Sequence, residues 1–475
     1  MIETVSPTDI RGAVAFPPWL SKAMVGSFLA ASFTATWGGI HLGAVQIADI
    51  FLLLTFVIAA AMVVFGNLRF PIPRWLWAPA FALLACDTVL KYSPIPAGYF
   101  AFRYEPAPPT PFDPGAVLKS GFWIVALVIL PIAAMACTAL ESRMPKRMMA
   151  SFLAGVAVCS LIAVTDLTKL TRISPSLTGH AWGENRQTGL SDHPNTLGVA
   201  CVIAAPFAVY LIGGSRRPWL PCIALVLLCD GVVASGSRGA EGVFPAAVLI
   251  AIFISPHTKK GMGWLAATFA AATLGSWIVL TQAAPGVLDK LLRFKGSGSS
   301  SKSDAERGIL ATQAWSDFKK HPIFGIGMEW ITDAHNIYLQ ILSAGGLVLF
   351  VAMLIYWFGT LRSCWLGARN GEALGRYLMV SVIAWLVGGA MENQLTDRYL
   401  YYTVSCAAAL GATYRVETLR RFRPIWAPWT SPPETTWCSS GHQEPAGRPT
   451  PASGSDSGQS NAICVTTIGT PARPP

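Results

Sequence analysis

Four side chains in this apolar sequence have the types and settings to do chemistry. Arg186 lies in ENRQTGLSDHPNTLG, Arg238 in ASGSRGA, Arg307 at the start of a helical pattern, and His335 in DAHNIYLQILSAGG. A guanidinium is always charged and presents a planar fork of N–H donors that matches two phosphate oxygens at once. Three of them from distant segments suit a diphosphate, whose growing charge they would offset as it departs. A histidine can act near neutral pH, and His335 suits a base or a hydrogen-bond donor. An arginine near membrane depth can also simply cap a helix or meet lipid phosphate, and a histidine can anchor an interface. Three arginines on one face, in small and specific surroundings, favour the clamp. These four residues are the catalytic candidates.

Around them stand the candidates for substrate binding: His193, Asn195, Asn336, Tyr338 and Glu392. His193-Pro194-Asn195 opens an apolar run, with Pro placed where a missing N–H costs little and Asp192 or Ser191 placed to cap. Asn336 and Tyr338 follow His335 directly, and Gly345-Gly346 permits a close helix contact or a kink. Glu392 belongs to a polar cluster with Asn393, Asp397 and Arg398. It suits either a carboxylate base or a group that holds an arginine in place, and both remain open. His41 and His180 stand beside no other candidate group. There is no H-E-x-x-H, no D-x-D in an outward loop and no cluster of Cys with His, so no metal is expected. There is also no Walker motif and no G-x-G-x-x-G after a strand, so no nucleotide or other cofactor is expected. The ten Cys contain no C-x-x-C pair, and most fall in apolar runs as small buried hydrophobes. Cys364 falls in a short basic loop.

The elements that must position these residues are membrane spans. Of 475 residues, 53% are hydrophobic and 13% charged, where soluble domains carry about a quarter charged. One large soluble helical protein would have to bury many long apolar stretches, and that class is set aside. The net charge of +10 does not imply nucleic acid, because the basic residues form small clusters between apolar segments and not one stripe. Seventeen Trp and eleven Tyr suit many membrane interfaces. Candidate spans are 22–40, 45–65, 75–90, 116–140, 148–165, 193–213, 218–234, 239–255, 263–281, 337–360, 377–391 and 398–414. Each is roughly long enough for a ~30 Å hydrocarbon core, in which helices satisfy their own backbone. The expected fold is thus an all-α polytopic membrane protein of about 12 transmembrane helices. No cleavable signal peptide is expected, and the first apolar run reads as a first span.

Loop charge orients the spans. Arg69 and Arg74; Arg143, Lys146 and Arg147; Arg216 and Arg217; Lys259 and Lys260; Arg362, Arg369 and Arg376; and Arg415, Arg420, Arg421 and Arg423 lie on one side. Only Glu141, Glu372 and Glu417 accompany them. The positive-inside rule places these segments and both termini in the cytoplasm. The remaining loops face outward, and every candidate residue above lies in one of them or at the adjoining end of a span. The largest, 282–336, lies between spans 9 and 10. It contains an amphipathic helix with Ser303 and Glu306 as a capping box and Arg307, Leu310, Ala314 and Phe318 on one face. His321-Pro322 stops that helix, and Gly325 and Gly327 turn the chain. The expected domains are a cytoplasmic N-terminus (1–21), a transmembrane catalytic domain (22–424) and a disordered cytoplasmic tail (425–475) rich in Pro, Ser, Gly and Thr.

The motifs, taken in order, resemble the bacterial O-antigen ligase and polysaccharide polymerase superfamily. They are Arg186 with Gly189 and His193-Pro194-Asn195; Ser237-Arg238-Gly239; Glu306-Arg307 followed by HPIFGIG at 321–327; and His335-Asn336-x-Tyr338-Leu339 with Gly345-Gly346-Leu347. The resemblance covers about 185–360 in detail. It implies a multi-pass protein of the bacterial inner membrane, active at its periplasmic face. It further implies a glycosyltransferase whose donor is a glycan on undecaprenyl diphosphate. The acceptor is a lipid A core sugar for ligases, as in lipopolysaccharide biosynthesis. It is another lipid-linked repeat unit for polymerases of O-antigen, capsule or exopolysaccharide. Arg186, Arg238 and Arg307 would engage the donor diphosphate, and His335 would assist the acceptor hydroxyl in a direct, inverting, metal-independent attack. The sequence leans to the ligase type, with polymerase as the alternative. The loop tip GSGSSSKS carries no acceptor-specific signature, and the tail has no assigned role in the family. A polysaccharide transporter or flippase is a further alternative, but the chain shows no internal repeat and its polar groups cluster at one face. A purely structural or sensory membrane protein would not need three outward arginines beside an outward histidine. Membrane lipids are the remaining partner, and nucleic acid is not expected.

Overall fold

The computed structural model describes residues 17–421 apart from 43–44, 67, 69, 97–98, 100–119, 180–185, 255–257, 279–297, 329–333, 393–394 and 396. The expected tail at 425–475 and most of the expected N-terminal segment lie outside the described residues. The architecture is helical. In chain order the elements are α1 (Pro18–Phe33), β1 (His41–Leu42), β2 (Val45–Gln46), α2 (Ile47–Gly66), α3 (Ala78–Tyr92), α4 (Ser120–Leu140), α5 (Met144–Leu167), α6 (Ile173–Thr178), α7 (Pro194–Gly214) and α8 (Trp219–Ser235). They continue as α9 (Arg238–Phe253), α10 (Thr258–Ile278), α11 (Gly298–Lys320), α12 (Ile337–Arg369), α13 (Leu374–Gly388) and α14 (Leu400–Arg421). Each apolar segment named from the sequence contains a helix. Among the described residues, five helices are long and apolar enough to cross a membrane: Ile47–Phe65, Ser120–Leu140, Met144–Leu167, Pro194–Gly214 and Ile337–Arg369. Large apolar side chains such as Phe65, Phe81 and Phe253 are turned outward, as hydrocarbon solvent permits. The chain is a multi-pass helical membrane protein.

Three details depart from the expectation. A two-residue antiparallel pairing of β1 with β2 interrupts the all-helical plan between α1 and α2. The helix carrying Arg307 begins at Gly298, so Ser303 lies inside it and does not cap it; no proline lies between the two, so nothing breaks the run. And α12 continues to Arg369, so Cys364 is a buried helical residue and not part of a loop.

The core centres on α7. Every residue from Pro194 to Val209 is buried, the mark of a helix that is apolar all round and enclosed by others. It packs against α5, α8, α9 and α13. Close approach to the α8–α9 turn depends on Gly198: a Cβ there would come within 2.9 Å of Ser235 Oγ and of the Cβ atoms of Ser237 and Ala240.

The second organising feature is a break in α12. Gly346 adopts φ 58°, ψ −157° inside the helix, a conformation open to glycine and costly for other residues. A broken helix frees backbone groups that hydrocarbon cannot satisfy. Here the 321–327 segment returns alongside and pairs with them. Ile326 N donates to Ser343 O and Gly327 N to Ala344 O, both at 2.9 Å. Leu347 N donates to Pro322 O at 2.8 Å and Val348 N to Ile323 O at 3.1 Å. α11 also packs directly on α12. The helix that carries Arg307 is thereby fixed to the helix that follows His335.

Candidate functional site

The site gathers at the N-terminus of α7. Pro194 holds the preceding residue extended (φ −140°, ψ 146° at His193), which makes His193 the cap. Its Nδ1 accepts from the backbone N of Asn195 at 3.1 Å. The caps expected at Ser191 and Asp192 are therefore not used; Ser191 Oγ donates to Thr36 O at 2.9 Å instead.

Asn195, 2% exposed, is the hub. Its side-chain oxygen accepts from Arg186 Nη2, and its Nδ2 donates to Glu392 Oε2 at 2.7 Å. Arg186 Nε donates to Ser235 O at 2.9 Å, and Gln187 N to Ala234 O at 2.9 Å. These bonds use the free carbonyls at the C-terminal end of α8, which a helix end leaves without internal partners. Ser237 caps α9 and donates from Oγ to Glu392 Oε1 at 2.9 Å.

Both Glu392 oxygens are thus hydrogen-bonded to side chains, and the carboxyl is 4% exposed. Burial pushes its pKa up. The Ser237 bond, the charges of Arg307 and Arg186, and the Asn195 bond pull the other way. This arrangement makes Glu392 the tie between α7, α9 and the arginines. Sequence reading did not find Ser237 as its partner, although the cap position before the Arg238 helix was the available signal.

Arg238 is the first residue of α9 and is exposed. With Arg186 it acts electrostatically on Glu241, one turn along. Arg307 is half-buried, and its Nε has no hydrogen-bond partner among the described residues. It shares a face of α11 with buried Leu310, Ala314 and Asp317. His335 sits half-buried with φ 48°, an uncommon backbone conformation that concentrates at functional positions.

His193 reports the convergence. Its pKa is lowered to about 4, first by burial and then by the charges of Arg186, His335 and Arg307. Three segments far apart in sequence therefore act on one imidazole. Asn336 and Tyr338 are engaged differently. Asn336 Oδ1 caps α12 by accepting from Tyr338 N and Leu339 N at 3.0 and 3.1 Å, and its Nδ2 donates to Ala390 O at 3.2 Å. Tyr338 hydroxyl donates to Leu386 O at 2.6 Å, and Ile337 N donates to Gly389 O at 2.8 Å. Both side chains hold the start of α12 against the end of α13.

The electrostatics favour an anion. Helices α7, α9 and α12 each begin at a site candidate, and helix N-termini carry positive partial charge and free N–H groups. Three guanidinium groups add full charges, and of the nearby carboxylates Glu392 has both oxygens occupied by side-chain hydrogen bonds while Glu241 feels the charges of Arg186 and Arg238. Such a site can hold a diphosphate while a histidine receives or donates a proton.

No curated protein matches the chain. Residues 223–354 match the family model described as O-antigen ligase. The matched stretch runs from α8 into α12 and contains Arg238, Arg307 and His335, while Arg186, His193, Asn195 and Glu392 lie beyond it. The match and the motifs agree over this stretch, where the chain is similar to the O-antigen ligase family.

Proposed function

We propose that the chain is a glycosyltransferase that moves a glycan from undecaprenyl diphosphate to a sugar hydroxyl of an acceptor, at the periplasmic face of the bacterial inner membrane. The observation that carries this reading is the hydrogen-bonded chain from Arg186 through Asn195 and Glu392 to Ser237, which ties one arginine to the start of α7 and to the cap of the helix that Arg238 begins. The positive-inside pattern supports the outward location.

In this reading Arg186, Arg238 and Arg307 hold the diphosphate and offset the charge that grows on it as the anomeric C–O bond breaks. The acceptor oxygen forms the new bond from the opposite side of the anomeric carbon, which inverts it. His335 takes the hydroxyl proton and returns it to solvent. Undecaprenyl diphosphate leaves with the bonding electron pair. Glu392 keeps Asn195 and Ser237, and through Asn195 also Arg186, in register. Asn336 and Tyr338 keep His335 at the mouth of α12. The donor carries its own leaving group, so no nucleotide is consumed.

The acceptor is the lipid A core in a ligase or a second lipid-linked repeat unit in a polymerase. Purified protein in lipid is given a fluorescent undecaprenyl-diphosphate oligosaccharide, with or without lipid A core. A single transfer onto the core is the result expected for the ligase type, and a ladder of longer lipid-linked glycans is that for a polymerase. No consumption of the donor under either condition contradicts the proposal.

A further inference from the structure

The arginine cluster holds a second carboxylate besides Glu392. Glu241 stands in the first turn of α9, three residues after Arg238, and residues so spaced are neighbours on a helix surface. Arg186 crosses the turn that precedes α9: a Cβ on Gly236 would lie 3.4 Å from its Cγ and 3.6 Å from its Nε. Arg186 and Arg238 both act on the charge of Glu241. An anion held between those two guanidinium groups therefore also feels this carboxylate.

The two carboxylates are built in differently. Glu392 has Asn195 on one oxygen and Ser237 on the other, as suits a group that ties elements together. Glu241 is half-buried, and its Oε1 is buried with no hydrogen-bond partner among the described residues. It ties nothing through that oxygen; what it brings to the cluster is charge. An acidic residue in a first turn also complements a helix N-terminus. Yet α7 and α12, which begin at the same site, have none there, and only the helix that Arg238 opens carries one. The chemistry gives that charge a use. The donor in the transfer proposed above is a diphosphate diester, with one ionised oxygen on each phosphorus. The lipid diphosphate that leaves is a monoester, whose added oxygen ionises at about pH 6. The product is thus more negative than the donor, and arginines alone would hold it more tightly. A carboxylate beside them repels both, and the product more.

We propose that Glu241 is a specificity-determining residue that biases the arginine site against the lipid diphosphate product and towards the glycan-bearing donor, so that the product leaves after transfer. This role rests on the transfer reaction proposed above. Glu241 forms no bond to the reacting atoms and acts on the diphosphate through its charge.

The test measures binding to the full chain in detergent. The probes are undecaprenyl diphosphate and its terminal methyl ester, a diester with no sugar to transfer. Glu241→Gln keeps the shape and removes the charge. It is expected to tighten the monoester about tenfold and the diester by a smaller factor. Glu241→Asp, which keeps the charge, should stay near the wild type. Glu241→Ala gives the same readout as Glu241→Gln should the latter fail to fold. In turnover by Glu241→Gln, inhibition by added undecaprenyl diphosphate should set in at about a tenth of the wild-type concentration. Unchanged binding, equal tightening of both probes, or weaker binding overturns the role. A lowered unfolding temperature with unchanged discrimination also overturns it and leaves Glu241 as a helix-terminus residue only. Failure of both probes to bind the wild type, or equal binding to Arg238→Ala, counts against the donor clamp itself. Binding that is lost in Arg238→Ala but unchanged in Glu241→Gln removes only the role of Glu241.

Discussion

Arginine and lysine carry the same charge but only arginine offers a planar fork, and that difference bears directly on Arg238. Arg238 is an exposed residue at the first turn of α9. Arg238→Lys is expected to leave the protein folded while donor turnover falls about tenfold or more, because a point charge cannot make the bidentate contact. Steady-state kinetics on the lipid-linked donor check this; unchanged turnover rules out a bidentate role. His193 yields a second expectation. Its folded pKa of about 4 lies below the ordinary histidine value of 6.5, so the unfolded chain binds the proton more readily between those values. The stability it contributes is complete above about pH 6.5 and is lost as pH falls towards 4. Glu392, raised by burial, runs the other way: its contribution is present at low pH and is lost as pH rises through its folded pKa. Thermal unfolding from pH 7 to 4.5 should therefore show a loss that His193→Gln reduces and Glu392→Gln exposes more fully. At this scale the sequence made the arginines and His335 legible, because charged groups stand out among apolar ones. It could not separate base from tether at Glu392. That depends on which side chains meet its two oxygens, and Asn195 and Ser237 are far from it in the chain.

The break in α12 is the element on which the site most depends. Its amide pairing with the 321–327 segment fixes Arg307 on α11 relative to His335. A Cβ on Gly346 would lie 2.4 Å from the backbone C and O of Ile323, and its φ is +58°. Gly346→Ala is expected to cost ~2 kcal/mol or more in stability from backbone strain and collision. It should also lower donor turnover even at temperatures where the protein stays folded. A variant as stable and active as wild type would show that the two helices are not coupled through this joint. Gly345-Gly346 was readable as a possible kink, and Gly325 and Gly327 as turns. Their mutual pairing was not readable, because the pattern within one segment does not say which backbone it will meet. The start of α11 was misplaced for a related reason: Ser303 has the chemistry of a cap, but the preceding residues also accept the helix.

Across the whole molecule, apolar length marked the helices, and loop charge is the basis of the direction proposed for them. α7, buried along nearly its whole length, supplies the post on which the site stands. Its uniform apolarity marked a span, but whether lipid or protein covers it cannot be told from composition. The stretch after Thr430 is dominated by Pro, Ser, Gly and Thr and offers little to pack. A reporter fused in place of the residues after Thr430 should leave the protein in the membrane and report from the cytoplasm. Loss of membrane-embedded protein would show that the tail contributes to the fold, and a periplasmic signal would reverse the orientation. If the proposed clamp exists, arginines from separate segments grip one diphosphate together, and a double-mutant cycle on binding measures that coupling. The dissociation constant of undecaprenyl diphosphate is measured for the wild type, Arg238→Lys, Arg307→Lys and the double variant. Each single change should weaken binding about tenfold, with a coupling of at least ~0.5 kcal/mol between them. Binding that is unaffected, or losses that simply add, would contradict a shared clamp.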